Sequence, residues 1–346
     1  RGGGQIQSLE IALQDKENLI QKQHHFLQKY SYLFKVRRRM SSIKNRIKAI
    51  FQPRLGNLVQ YAHLPRAISQ QQKVWSPSDL SSPKISIVTP SFAQGEYIER
   101  TLLSVLEQNY SGLEYFVQDG GSTDNTQAIL EKYDDRLSGW KLEKDSGQSQ
   151  AINRGFSHTS GEVMAWLNSD DLLLPNALAI VSDYFMKHPE VDVVYGNRIL
   201  IDENDMDIGR WILPGHCNKV LSWADYIPQE TLFWRRSIWE KSGGQIDESF
   251  RFAMDWDLLV RFRNAGAVFA HIPEFLGAFR IHEAQKTSAQ ISETGFKEMN
   301  IIRKRELGKT PSSIEVRRAI SPYILKHVLI DILYRIKVRV ACLRND

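Results

Sequence analysis

Four polar clusters stand out: Thr89-Pro90-Ser91-Phe92, Gln118-Asp119-Gly120-Gly121-Ser122-Thr123-Asp124, Lys144-Asp145-Ser146-Gly147-Gln148 and Asn168-Ser169-Asp170-Asp171. Gly120 and Gly121 let backbone approach a ligand closely, and Asp119 offers a carboxylate to a base or a ribose. Asp170 and Asp171, with Asn168, supply hard oxygen donors suited to Mg2+ or Mn2+ bridging a diphosphate. Singly, each cluster reads as a turn or a helix cap. Together they need a scaffold that brings them to one place.

The intervening sequence provides it. Short β-branched or apolar runs at Ile85–Thr89, Glu114–Gln118, Trp140–Glu143 and Val163–Leu167 read as strands, each running into one cluster. Helical patterns separate them, with Ile98, Leu102, Val105 and Leu106 on one face, Asp124 and Gln127 as a cap and capping box, and a further helix from Gln148. Pro175 suits the first turn of another helix, and Val191–Tyr195 reads as a fifth strand. Alternating strands and helices predict a parallel, doubly wound α/β sheet, whose ligands collect at the carboxyl ends of the strands. No Walker loop is present, no GxGxxG follows the first strand, and no basic Gly-rich loop of a sugar-nucleotide pyrophosphorylase occupies 90–95.

The ordered set of motifs resembles the inverting family-2 glycosyltransferases with the GT-A fold, and the likeness covers 84–287. It rests on Ile87–Phe92, Val117–Asp124, Asp145-Ser146-Gly147-Gln148 with Ala151–Gly155, Trp166–Asp171, Pro228-Gln229-Glu230 and Met254-Asp255-Trp256-Asp257-Leu258. The resemblance implies an α/β, GT-A-type Rossmann-like nucleotide-binding sheet flanked by helices. It also implies transfer of a sugar, with inversion, from a nucleotide-diphosphate sugar to a hydroxyl of a glycan or lipid-linked acceptor, in cell-surface polysaccharide or glycan biosynthesis. Thr89, Pro90, Ser91, Asp119, Asp145, Gly147, Gln148, Asn168, Ser169 and Asp170 are then expected at the donor, with Pro90, Asp119, Asp145 and Gly147 around the nucleoside. Asn168 stands where the family's Asp-x-Asp has its first aspartate, while Asp170 keeps the position expected to ligate Mn2+ or Mg2+. Asp255 resembles the general base. His282, in Phe279-Arg280-Ile281-His282, is expected at the metal or the diphosphate, and Gln229, Trp234 and Trp256 at the acceptor. Retention of Asp119, Asp170 and Asp255 together argues against a catalytically dead scaffold.

The flanks are different in kind. Ile6, Leu9, Leu13, Ile20, Leu27, Tyr30 and Phe34 follow steps of three and four, which predicts a coiled coil over 6–34 that pairs with a second copy or another helix. From Lys29 to Arg54 there are nine lysines and arginines and no acid, a pattern suited to a solvated helix face or, more sharply, to an anionic membrane surface or an acidic partner. No nucleic-acid module accompanies that charge, so nucleic acid is not an expected partner. The expected organisation is a helical coiled-coil and basic amphipathic segment at 1–55, a linker at 56–83, the transferase domain at 84–287 and a C-terminal helical extension at 288–346. Within the domain the donor half is 84–198 and the acceptor half 199–287. In the extension, Ile324, Val328, Ile332 and Ile336 fall at helical spacing beside basic residues, as in a satellite helix covering the core or a helix lying in a membrane interface. No apolar stretch approaches the ~20 residues of a spanning helix. Two cysteines without ligand spacing fit a reducing compartment. The expected location is the cytoplasm, peripheral to the membrane's cytoplasmic face. Arg1-Gly2-Gly3-Gly4 carries neither an initiator methionine nor a signal pattern, and the natural chain is expected to extend upstream.

Overall fold

The computed structural model describes residues 51–62, 82–283 and 294–345. The heptad seam over 6–34 and nearly all of the basic run over 29–54 lie outside the described residues.

Strands β1 (Ile85–Ser91), β2 (Leu113–Asp119), β3 (Gly139–Leu142) and β4 (Val163–Trp166) are parallel, in the order β3-β2-β1-β4. Helices α1 (Ile98–Leu106), α2 (Thr126–Lys132) and α3 (Gln148–Ser157) make the crossovers. Both sheet faces are covered, so alternate residues enter different cores. Ile85 and Ile87 of β1 meet Leu102 and Val105 of α1, whereas Val88 meets Ile152 and Phe156 of α3.

Beyond β4 the sheet becomes mixed. The next strand in space is β8 (Phe233–Arg235), antiparallel to β4 and to β6 (Val193–Ile201). A single 3-10 turn at Gln229–Thr231 delivers β8, and without a crossover helix the strand runs against its neighbours. β9 (Phe269–Arg280) follows parallel to β6. The two-residue β5 (Leu172–Leu173) closes that edge, and β7 (Asp207–Trp211) forms a hairpin with β6. The boundary expected at 198/199 falls inside β6, so both halves share one nine-stranded sheet.

The remaining helices are α4 (Ala177–Lys187), the single turn α5 (Asn218–Leu221), α6 (Arg236–Lys241), α7 (Met254–Asn264), α8 (Phe296–Leu307) and α9 (Ser313–Asn345). Helix α9 runs through Pro322, which has no N–H for the carbonyl of Arg318. The Ser321 hydroxyl donates to that carbonyl instead, at 2.9 Å. Part of the expected linker is docked: the Gln60 amide group exchanges hydrogen bonds with the backbone of Arg210, and the Tyr61 hydroxyl donates to Asp207 at 2.6 Å. The capping box expected at Asp124 is also different. Helix α2 begins two residues later, Asp124 accepts the N–H groups of Thr126 and Gly95, and Gln127 turns to Glu131.

Candidate active site

A cleft of about 1030 Å³ opens where β1 and β4 end and where α3 and α7 begin. Pro90, Ser91, Gly120, Asp145, Gly147, Gln148, Asn168, Ser169, Asp170, Gln229 and Asp255 all line it, so the separated motifs do converge.

Loop chemistry fixes the donor-side wall. Thr89 is buried, 2.9 Å from the Tyr115 hydroxyl, and supports the wall from behind. Asp119 is buried too, and its carboxylate accepts the N–H groups of Gly121 and Ser122 and the Ser122 hydroxyl, at 3.0, 2.7 and 2.7 Å. A buried carboxylate requires such donors. The neighbouring Gly120, rather than Asp119, therefore reaches the cleft wall. A Cβ on Gly120 would lie 2.9 Å from an Asp145 oxygen, so glycine is what lets the two loops abut. Asp145 in turn accepts the Gly147 N–H at 2.8 Å, and Gly147, at φ +134, starts α3. The N-terminal end of that helix lines the cleft, an arrangement favourable to anions.

Asn168 is a hub. Its carbonyl accepts from Gln148 at 2.7 Å, and its NH2 donates to Asp171 and to Gln229 Oε1, each at 3.1 Å. Gln229 is oriented by donating to the Trp166 carbonyl at 2.8 Å. Thr101 of α1 lies within hydrogen-bond reach of the carbonyls of Ser169 and Asp171, and Arg280 donates to the carbonyl of Asp170 at 2.8 Å. Asp170 Oδ2 is 3.1 Å from His282 Nε2, and the imidazole rests on the Tyr97 ring. Among the described residues no three His, Cys, Asp or Glu side chains converge on one point. Asp170 and His282 do converge, and one hard oxygen with one imidazole leaves coordination positions for phosphate oxygens and water. That donor set fits Mn2+ or Mg2+ carried in by a diphosphate.

Asp255 lies in the first turn of α7. Burial pushes its carboxyl up to about 6, against the N–H bond from Trp256 and the charge of Arg198, which pull it down. Asp225 faces the same cleft, held well above the usual carboxylate range by desolvation and then by the charge of Asp255. Arg198 forms a buried bidentate pair with Glu230 and is sandwiched between the rings of Trp211 and Phe279, each 4.5 Å away. Sequence reasoning found neither Asp225 nor Arg198, because nothing local marks them. Asp257, the next acid along, is tied to Arg261 and Arg305 at 2.8 and 2.6 Å and bridges α7 to α8.

Two expected acceptor residues are misplaced. Trp234 is wholly buried in β8 among Trp166, Trp239, Phe156 and Phe262. Trp256 backs the cleft but is also buried, donating to the Leu221 carbonyl at 2.7 Å with Arg303 over its ring. Neither offers a face to a sugar. Phe92, Trp211, Phe252 and Phe279 are the cleft aromatics with exposed surface.

Residues 86–246 match the family model described as Glycosyl transferase family 2. An uncharacterized glycosyltransferase of Mycobacterium tuberculosis is 30% identical over 186 residues, covering 52% of this chain and 69% of the relative. The Escherichia coli UDP-Glc:alpha-D-GlcNAc-diphosphoundecaprenol beta-1,3-glucosyltransferase is 32% identical over 131 residues, 38% of this chain and 51% of that one. Among solved structures, S. aureus TarS in complex with UDP-GlcNAc superposes with a TM-score of 0.54 at 17% identity, over 70% of this chain and 72% of that one. Mannosyltransferase PcManGT from Pyrobaculum calidifontis, in complex with GDP-Man and Mn2+, gives 0.51 at 18%, over 74% and 71%. At these identities the likeness concerns the fold.

Proposed function

The chain belongs to glycosyltransferase family 2 and has the GT-A fold, and from that premise we propose a metal-dependent, inverting transfer of a sugar from a nucleoside-diphosphate donor to an acceptor hydroxyl. One observation carries the reading: Asp255, the proton acceptor, shares a single cleft with Asp170 and the N-terminus of α3, which suit a diphosphate. The acceptor hydroxyl gives its proton to Asp255 as its oxygen bonds to the anomeric carbon. On the opposite side of that carbon the bond to the diphosphate oxygen breaks, which inverts the centre in one displacement. Mn2+ or Mg2+, when bound, supplies positive charge against the departing diphosphate, and Asp170 and His282 are the residues that would hold it. Gly120, Asp145 and Pro90 form the nucleoside end, and Gln229 positions Asn168 behind the phosphates.

The acceptor in this reading is a glycan or lipid-linked sugar met at the cytoplasmic face of a membrane, with 84–287 as the catalytic domain. The basic run over 29–54 supplies electrostatic attraction to anionic lipid, and the seam over 6–34 pairs with a second copy. The decisive experiment is release of nucleoside diphosphate by purified protein and its Asp255→Asn variant. Asparagine keeps the shape but accepts no proton, so turnover is expected to fall by about 10²–10⁴-fold while donor affinity stays nearly constant. Near-normal turnover by the folded variant would remove Asp255 from the role.

A further inference from the structure

Helix α9 is apolar on two opposite sides. One side is packed: the Tyr323 hydroxyl donates to the Pro214 carbonyl at 3.0 Å, and His327 lies 2.7 Å from the Ile212 carbonyl while its other nitrogen accepts from the N–H groups of Arg54 and Leu55. Val328 and Asp331 are buried on the same side. On the other side Leu325, Leu329 and Leu333 are 64, 56 and 65% exposed, and Ile336 and Val340 continue the row at 53 and 44%, where Val338 on the packed side is exposed as well. At about 100° per residue the five of the row fall within an arc of roughly 80°, opposite the packed side, and the row is about 22 Å long. A single exposed leucine is ordinary; five in register form a surface.

The charge around the row is one-sided. From Val316 to Asn345 the sequence has seven lysines and arginines and one acid. That acid, Asp331, is turned inward and paired with Arg54 and Arg335. Lys326, Lys337 and Arg339 are exposed and fall within about 40° of that arc, and Arg318, also exposed, continues its line about two turns before Leu325. Two copies docked through this row would bring lysines and arginines against one another. An anionic lipid interface accepts both parts, with acyl chains against the leucines and headgroup phosphates against the basic margins.

We propose that the outward leucine face of α9 is a membrane-docking surface that lies in the headgroup layer of an anionic bilayer. This goes beyond electrostatic attraction by the basic run at 29–54, and it does not depend on the sugar-transfer reading. The test uses the full chain with vesicles of phosphatidylglycerol and phosphatidylcholine, compared with phosphatidylcholine alone. The Leu329→Gln/Leu333→Gln variant is expected to bind the anionic vesicles at least about tenfold more weakly, with thermal unfolding and sedimentation unchanged, because both side chains are exposed. High salt should weaken wild-type binding but leave a residue that the variant lacks, since leucine insertion is not screened. Equal vesicle binding by wild type and variant would overturn the proposal. So would a wild-type dimer that the variant loses while its vesicle binding is unchanged, because the face would then belong to a second copy. Turnover on a soluble acceptor reports separately on sugar transfer, and its failure would leave the docking result standing.

Discussion

The Asp255 carboxylate is expected to set the acid side of the pH response. Asp255 must be ionised to accept a proton, and burial raises its carboxyl to about 6. The active form is therefore complete above that value and is lost as pH falls through it. The acid limb of kcat/KM is expected near 6, rather than near the value of about 4 of an ordinary aspartate. A profile flat down to about 4 would show that Asp255 is solvated like a surface group. Asn168 offers the second test at this scale. Its NH2 serves two acceptors, Asp171 and Gln229, and Gln229 cannot turn round because its own NH2 is held by the Trp166 carbonyl. Asn168→Asp restores the family's usual residue but sets oxygen against oxygen in a half-buried place. A cost of about 1–3 kcal/mol and a Tm lower by several degrees are expected, together with weaker donor binding. An unchanged Tm would mean that the hub is not worth what its geometry suggests. The family resemblance could flag Asn168 as a departure; its reason became visible only when Gln148, Asp171 and Gln229 came together around it.

Helix α7 depends on a partner remote in sequence. Ala253 at its N-terminus has no capping side chain, and the N–H groups of Arg251, Phe252 and Ala253 are taken by Glu298 of α8, at 2.8, 2.8 and 2.9 Å. A charged acceptor at a helix start meets both the unpaired N–H groups and the positive helix end. Glu298→Ala should lower stability by about 2–3 kcal/mol and reduce kcat while donor Kd holds, with Glu298→Gln in between. Calorimetry and donor titration would separate these effects, and equal loss of kcat and donor affinity would count against it. This dependence explains what could be read in advance. The loops expected at the donor were legible because each follows its strand directly and carries its own turn chemistry. The side expected to take the acceptor was not, since Arg198 and Asp225 reach the cleft from β6 and a loop, while Glu298 of α8 acts on it through the start of α7. Trp234 was misread for a related reason. β8 sits between β4 and β6 with both faces covered, so an aromatic there is core whichever way it points.

For the molecule as a whole, the sheet joins the cleft to distant surface. Arg280, wholly buried, holds the Asp170 carbonyl at one end of its side chain and, at the other, the Asp202 carbonyl at 3.0 Å and the Asp205 carboxylate at 2.6 Å. The turn between β6 and β7 is thus fastened to the loop where a diphosphate would arrive. Asp202 closes that turn by accepting the N–H groups of Asn204 and Met206, each at 2.9 Å. Two regions joined through one guanidinium exchange free energy reciprocally. Donor binding that shifts the Asp170 loop is therefore expected to be felt at the turn. Amide hydrogens of Asn204 and Met206 should exchange more slowly once donor and Mn2+ are bound, and Asp205→Ala should weaken donor binding without touching the cleft. Exchange rates indifferent to ligand would mean that the guanidinium braces the turn and reports nothing. If the rates do respond, a label on this turn would follow each donor's arrival and departure without any view of the chemistry itself.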